Sequence, residues 1–285
     1  MTLDALYSLF APFYEPVFMR RAALALFLLS IAASGTGVLV VSRRMAFFPD
    51  AAGHTVFAGL ALGLIFGLPP APSILCFGVF IGLLIIWMVR HSNLASDTVI
   101  GLVFSGGVAL GLALVSRFPE AQSSVTRFFL GDVLTLGDLE IALILGLAAV
   151  SILFYLFLYN RIMLACVAPH GTGGGSRADY LFGAFLSLVV VTAVQAVGVL
   201  LVSALLIAPA ACGRMTARSG RGMFWTAFAV SLFSGQAGLA LSYHPAVNTA
   251  TGATVVFISI AVFGLLVLAR KLRGLFRKPG PAEGA

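Results

Sequence analysis

Between Arg21 and Arg43 the chain runs from Ala22 to Ser42 without a single charged residue. About 20 apolar residues suffice for an α-helix to cross the roughly 30 Å hydrocarbon core of a bilayer, and such a run is far too long for a strand of a membrane barrel. Comparable runs recur near residues 51–68, 72–89, 98–116, 139–158, 222–241 and 250–269. The whole chain of 285 residues is 60% hydrophobic and 9% charged, where soluble domains carry roughly 25% charged residues. Its mean hydropathy is +1.08. The expected fold is therefore all-α, a polytopic membrane helical bundle embedded in lipid, and no nucleic-acid partner is expected.

One apolar stretch is too long for an ordinary crossing. Residues 180–212, "YLFGAFLSLVVVTAVQAVGVLLVSALLIAPAAC", are interrupted by Gln195 and Gly198, and read as two short helices that meet there. That makes nine passages, or eight if the stretch is one tilted helix. Charge favours nine. The basic tail "RKLRGLFRK" after residue 269 belongs in the cytoplasm, where Lys and Arg are retained. Counting back through nine passages puts Arg43, Arg44, Arg90, Arg161, Arg177, Arg214, Arg218 and Arg221 on the same side, and leaves Arg20, Arg21, Arg117 and Arg127 outside. The organisation expected is an extracytoplasmic N-terminal segment 1–19, a transmembrane domain 20–270 and a basic cytoplasmic tail 271–285.

The first 19 residues hold acids and prolines, with no small-residue cleavage site after a short apolar core, so no cleaved signal peptide is expected. Cys76, Cys166 and Cys212 form no CxxC pair and are expected as small core residues. The outer segment 117–138 carries Glu120, Asp132 and Asp138; it is either a docking loop for an external partner or a plain connector.

The chemistry is concentrated in "RRMAFFPDAAGHTVFAGLALGL". Asp50 and His54 stand four apart and share one face of a helix. A carboxylate inside a membrane is costly and commonly marks an ion pathway or a pairing. Pro49 suits the start of a helix, where the N-terminal dipole also favours an acid without any metal. A helix cap beside an interior histidine therefore stands as the plain alternative. Taken as ligands, imidazole nitrogen and carboxylate oxygen suit zinc, manganese or iron(II), and no thiolate lies near enough to suggest copper(I). Two ligands fall short of the four of a closed zinc site, which suits an ion in transit. Among the other candidates, His91 ends a cytoplasmic helix, His170 lies in a glycine loop and His244 faces outside near a possible entrance. Asp97 reads as a helix N-terminal acid.

These residues resemble a known family. "RRMAFFPDAAGHTVFAGLALGL" is similar to the "RRM-F-GDALSHA-L-GVALG" stretch of the ABC-3 metal permeases, bacterial ABC importers of zinc, manganese and iron. "SDTVIGLVFSGGVALGLALVS", "FFLGDVLTL", "VQAVGVLLVSALLIAPAA" and "GATVVF" follow in the family's order, over residues 20–268. The resemblance implies a permease of the vitamin B12 importer type (type II) in the bacterial cytoplasmic (inner) membrane. It also implies a second permease copy, cytoplasmic ABC ATPase subunits and an extracytoplasmic metal-binding protein. The family's acid and histidine fall on Asp50 and His54, with the metal as cargo and no permanently bound cofactor. Its ATPase-coupling region falls on 208–224, with Pro209 at a helix break and with Arg214 and Arg218 able to share one face.

Departures from the family are local. "GDALSH" is "PDAAGH" here, keeping acid and histidine. The usual acidic loop between the fifth and sixth spans is replaced by "VAPHGTGGGSRADY", which lacks the sequence context of a phosphate loop and reads as a flexible connector. The chain has no nucleotide-binding motif of its own, so it is expected to be a transporter subunit, with ATP hydrolysis by a separate subunit. A proton- or sodium-coupled secondary transporter, or an importer of a metal chelate, remains the alternative. The donor pair serves zinc and manganese almost equally, and the imidazole tips the balance slightly to zinc.

Overall fold

The computed structural model describes residues 16–117, 133–167, 175–244 and 249–276, with the backbone alone at 165–167, 175–176 and 273–276. These residues contain nine long helices: α1 (Val17–Ser42), α2 (Phe48–Ile65), α3 (Pro70–His91), α4 (Ser96–Val115), α5 (Asp138–Val167), α6 (Gly175–Val197), α7 (Val199–Thr216), α8 (Gly220–Tyr243) and α9 (Thr251–Phe276). Each is long and apolar enough to cross a membrane.

Side-chain contacts fix the direction of each helix. At one end, Arg43 and Arg90 both reach Asp179 near the start of α6. Arg214 donates to the Val41 carbonyl, and Arg270 donates to that of Met215. The ends of α1, α3, α7 and α9 and the beginning of α6 therefore gather in one layer, the arginine end. At the opposite end Arg21 pairs with Asp138, and Phe18 meets Tyr243. The helices alternate in direction, and α9 finishes at the end opposite to where α1 begins.

The long stretch 180–212 is two helices. Gly198, at φ +87°, separates α6 from α7, a conformation open to glycine and strained for other residues. Both helices run from this apex to the arginine end, so they form a V. They are longer than the short pair expected, at 23 and 18 residues.

Several boundaries depart from the sequence reading. Helix α1 takes in Arg20 and Arg21, and α5 continues to Val167, so Arg161 is helical. Residues 175–180 of the expected connector open α6, because "SRADYLFGAFL" carries a helical apolar face and Asp179 is anchored by two arginines. Helix α9 runs on to Phe276, into the expected tail. Pro209 is not at a break: it lies inside α7. Proline deprives the helix of one amide donor, but membrane helices tolerate this where neighbours support them. Here α1 presses against that part of α7, with Gly37 set against the Leu206 carbonyl so closely that a methyl group would collide. Cys76 is another correction: Cys212 is buried as expected, whereas Cys76 lies on the exposed face of α3.

Small residues let the helices approach, as in many membrane bundles where lipid leaves packing to drive association. The α3–α6 seam is antiparallel: Gly78 meets Val191, Gly82 meets Ser187, and Gly183 meets Ile86. One turn further on, the seam closes with Arg90 on Asp179. Helices α2 and α4 run parallel, with Gly107 against Thr55 and Gly111 against the Phe57–Ala58 backbone. Helix α1 is the central element. The hydroxyl of Tyr155 on α5 meets the Ala32 carbonyl and accepts from the Thr36 amide at 3.0 Å, inserting itself into the helix ladder beside Gly35. The outer faces of α5 and α9 expose Leu156, Phe157, Phe257 and Leu265, the surface a lipid-facing helix presents.

Candidate functional site

Helix α2 starts at Phe48, with Pro49 in its first positions and Asp50 in its first turn. Proline is preorganised for this place because its missing amide would have no partner there. Packing then wraps the helix almost completely. From Phe48 to Ala61 every residue is buried except two, Asp50 and His54, which are partly exposed. The four-residue spacing places both on the one strip of α2 that α3, α4, α6 and α7 leave open.

Each member of the pair is held from a different side. The Asp50 carboxylate accepts a 2.6 Å hydrogen bond from the hydroxyl of Ser203 on α7. The His54 ring stands edge-on to Phe104 of α4, with centroids 5.3 Å apart, and to Phe57, 6.4 Å away. Gly53, between them in sequence, lets α2 lie against Val194 and Val199, on either side of the Gly198 apex. The pair therefore sits where α2, α4 and the V of α6 and α7 converge.

Depth follows from helix rise. Ser203 precedes Arg214 by 11 residues on α7, about 16 Å along the axis, and Asp50 is about 22 Å from the far end of α2. Asp50 thus lies in the half of the bundle nearer the arginine end, and His54 stands about 6 Å further toward the other side. Among the described residues no three of His, Cys, Asp and Glu come together as a metal cage. One imidazole, one carboxylate and one hydroxyl can grip a divalent transition ion incompletely, and an incomplete grip permits release.

The coupling candidates differ in setting. Pro209 is buried inside α7. Arg214 is in the last turn of α7 and reaches back to the Val41 carbonyl at 3.1 Å. Helix α7 ends at Thr216, so Arg218 lies in the following turn and does not share a helical face with Arg214. That turn is closed by Ser219, whose hydroxyl accepts from the Gly222 amide and caps α8.

The remaining sequence candidates are peripheral. His91 ends α3, stacked on Trp87 at 5.1 Å and bonded through Nδ1 to the Trp87 carbonyl at 2.7 Å. His244 follows the last residue of α8, and Asp97 is in the first turn of α4 as expected. His170, Glu120, Asp132 and most of the N-terminal segment lie outside the described residues. Ser203 and Phe104 were not singled out by sequence. Ser203 is a lone hydroxyl in an apolar run, and such serines commonly bond their own helix, as Ser30 and Ser187 do here.

A family model described as the ABC 3 transport family matches residues 15–270. The manganese import system permease protein ScaB of Streptococcus gordonii is 30% identical over 268 residues, covering 92% of this chain and 95% of that protein. The chelated iron transport system membrane protein YfeD of Yersinia pestis is 30% identical over 289 residues, covering 99% of this chain and 96% of the relative. Among solved structures, PsaBC from Streptococcus pneumoniae in complex with Fab aligns over 92% of this chain and 95% of that one, with a TM-score of 0.77 and 25% identity.

Proposed function

The chain belongs to the ABC 3 transport family, and on that premise we propose that it is the transmembrane permease subunit of an ATP-driven importer of divalent transition-metal ions. The observation that carries the metal reading is the open strip on α2. In a helix otherwise sealed from Phe48 to Ala61, the two side chains left accessible are the carboxylate and the imidazole. A carboxylate that served only as a cap would gain nothing from an opening that also exposes a histidine one turn on.

In this reading the ion passes along the strip. His54 supplies a neutral nitrogen and Asp50 a negative oxygen, with the Asp50 carboxylate oriented by the Ser203 hydroxyl. A second permease copy brings a second such pair and completes the coordination that one chain leaves unfinished. An extracytoplasmic binding protein delivers the metal, and separate ABC ATPase subunits supply the energy. The arginine end faces the cytoplasm of a bacterial inner membrane, because Lys and Arg collect on that side. On this orientation Asp50 and His54 are met late in passage, before release. The ATPase contact lies at the α7–α8 turn near Arg214 and Arg218, where two helices meet in a short capped link. The relatives named for manganese and chelated iron suit the mixed nitrogen and oxygen donors, which also accept zinc.

Uptake of labelled zinc, manganese and iron into cells with and without this gene tests the proposal. At least one ion should accumulate in an ATP-dependent manner that survives collapse of the proton gradient. His54→Ala and Asp50→Asn should each reduce that uptake by about 10- to 100-fold, the range seen when metal-handling groups are removed. Uptake driven by the proton gradient alone would favour a secondary transporter, and unchanged uptake in both variants would remove the pair from the path.

A further inference from the structure

Asp50 and His54 do not use the paired arginines that precede them, nor the opening beside those arginines. At the arginine end a cleft of about 270 Å³ lies between the α1–α2 elbow, the end of α3, the start of α4 and the start of α6, with Arg43, Arg44, Arg90, Ser96 and Asp179 on its wall. Three guanidiniums face one carboxylate, which leaves two positive charges uncompensated. Asp179 is already taken by Arg43 at 2.6 Å and Arg90 at 2.5 Å. Arg44 is exposed and has no acidic partner among the described residues. The Nε of Arg43 is buried without an acceptor.

The wall adds further donors. Ser96, the first residue of α4, lines the cleft, and no side chain caps that helix. Asp97 is exposed and does not line it. Arginine forks are donors that match a phosphate group. The surroundings say what carries that phosphate. Phe47, beside the arginines in sequence, is 62% exposed, and Leu94, just before α4, is 54% exposed. Trp87, 51% exposed, stacks on His91 one turn from Arg90, in the manner of aromatic residues at a membrane interface. A cationic cleft between helix ends, with exposed apolar side chains close in sequence to its lining residues, matches an amphiphile with an anionic head and hydrocarbon tails.

We propose that this cleft binds the phosphate headgroup of an anionic glycerophospholipid, its acyl chains lying against the exposed Phe47 and Leu94. Basic pockets between membrane helices on one leaflet are suited to such headgroups. Arg43 and Arg90 are shared with Asp179, so Arg44 supplies the free charge. A bound lipid would thereby fasten the elbow that leads into Asp50.

The test uses the purified full-length permease, delipidated and titrated with phosphatidylglycerol or phosphatidylcholine, with retained lipid read by native mass spectrometry. The parent should retain phosphatidylglycerol in preference to phosphatidylcholine. Arg44→Gln should weaken that retention by about fivefold and Arg44→Glu by more, in line with the worth of one basic residue at an anionic surface. Arg44→Lys should keep most of it, and Arg117→Gln, at the other end, should change nothing. Equal retention of both lipids, or equal phosphatidylglycerol retention by the parent and Arg44→Glu, would overturn the proposal. So would full displacement by millimolar inorganic phosphate, which would assign the cleft to a free anion. Loss of the lipid when the ATPase subunit is added, at unchanged lipid concentration, would assign it to an acidic protein surface.

Discussion

Asp50 and Asp179 are carboxylates near the starts of two helices, and both lie toward the arginine end, yet they are engaged in opposite ways. Asp179 holds a guanidinium on each oxygen, Arg43 on one and Arg90 on the other, and the Arg43 guanidinium also lies 4.7 Å above the Phe182 ring. Its charge is over-neutralised and its oxygens are occupied. Asp50 holds one neutral hydroxyl, from Ser203, and remains partly exposed beside His54. Its charge is not cancelled by any ion pair among the described residues. The first arrangement is a fastener across three helices. The second leaves a carboxylate able to attract a cation, and the cost of keeping it charged inside the bundle is consistent with a functional use.

The two acids should respond in opposite ways to the same neutral substitution. Asp179→Asn leaves two arginines facing each other and should destabilise the permease by about 2 kcal/mol, the scale of losing a charged hydrogen-bonded partner. A lowered thermal unfolding midpoint in detergent would report it. Asp50→Asn removes a desolvated charge while retaining an acceptor for Ser203, so its stability should stay within about 1 kcal/mol of the parent's or rise. Equal destabilisation by both would mean that Asp50 is structural too.

A smaller effect is expected one residue away from the contrast. Ser203→Ala removes the hydroxyl that orients Asp50, and should raise the metal concentration needed for half-maximal uptake by about three- to tenfold, with Ser203→Thr restoring most of it. A loss of maximal rate with unchanged half-saturation would instead place Ser203 in the movement of α7. The smallest effect is expected at Arg214. Its bond to the Val41 carbonyl is exposed, so Arg214→Gln should shift the stability by less than about 0.5 kcal/mol. Impaired stimulation of the ATPase by the permease, without that shift, would locate coupling at this turn.

Much of the bundle was legible in the sequence because apolar length is a local property. The break at Gly198 was legible for a related reason: Gln195 and Gly198 interrupt an apolar stretch too long to be one crossing. Pro209 misled because a proline signals a break only when nothing else supports the helix, and here Gly37 brings α1 hard against α7. The Asp50 and His54 pair was visible from its spacing. Its exposure was not, because that depends on how four other helices cover α2. The fastener at Asp179 was hidden for the same reason, since Arg43 lies 136 residues away in sequence and Arg90 lies 89. Ser203 gave no sign, because a serine in an apolar helix normally satisfies itself.

Asp50 is thus proposed as an acid open to metal and Asp179 as an acid closed to it. Equilibrium binding of labelled manganese and zinc to the purified permease, compared across Asp50→Asn, His54→Ala and Asp179→Asn, tests this most directly. The first two should lose at least about tenfold in affinity, while folded Asp179→Asn should bind as the parent does. Parental binding in Asp50→Asn and His54→Ala, or a loss confined to Asp179→Asn, would contradict it.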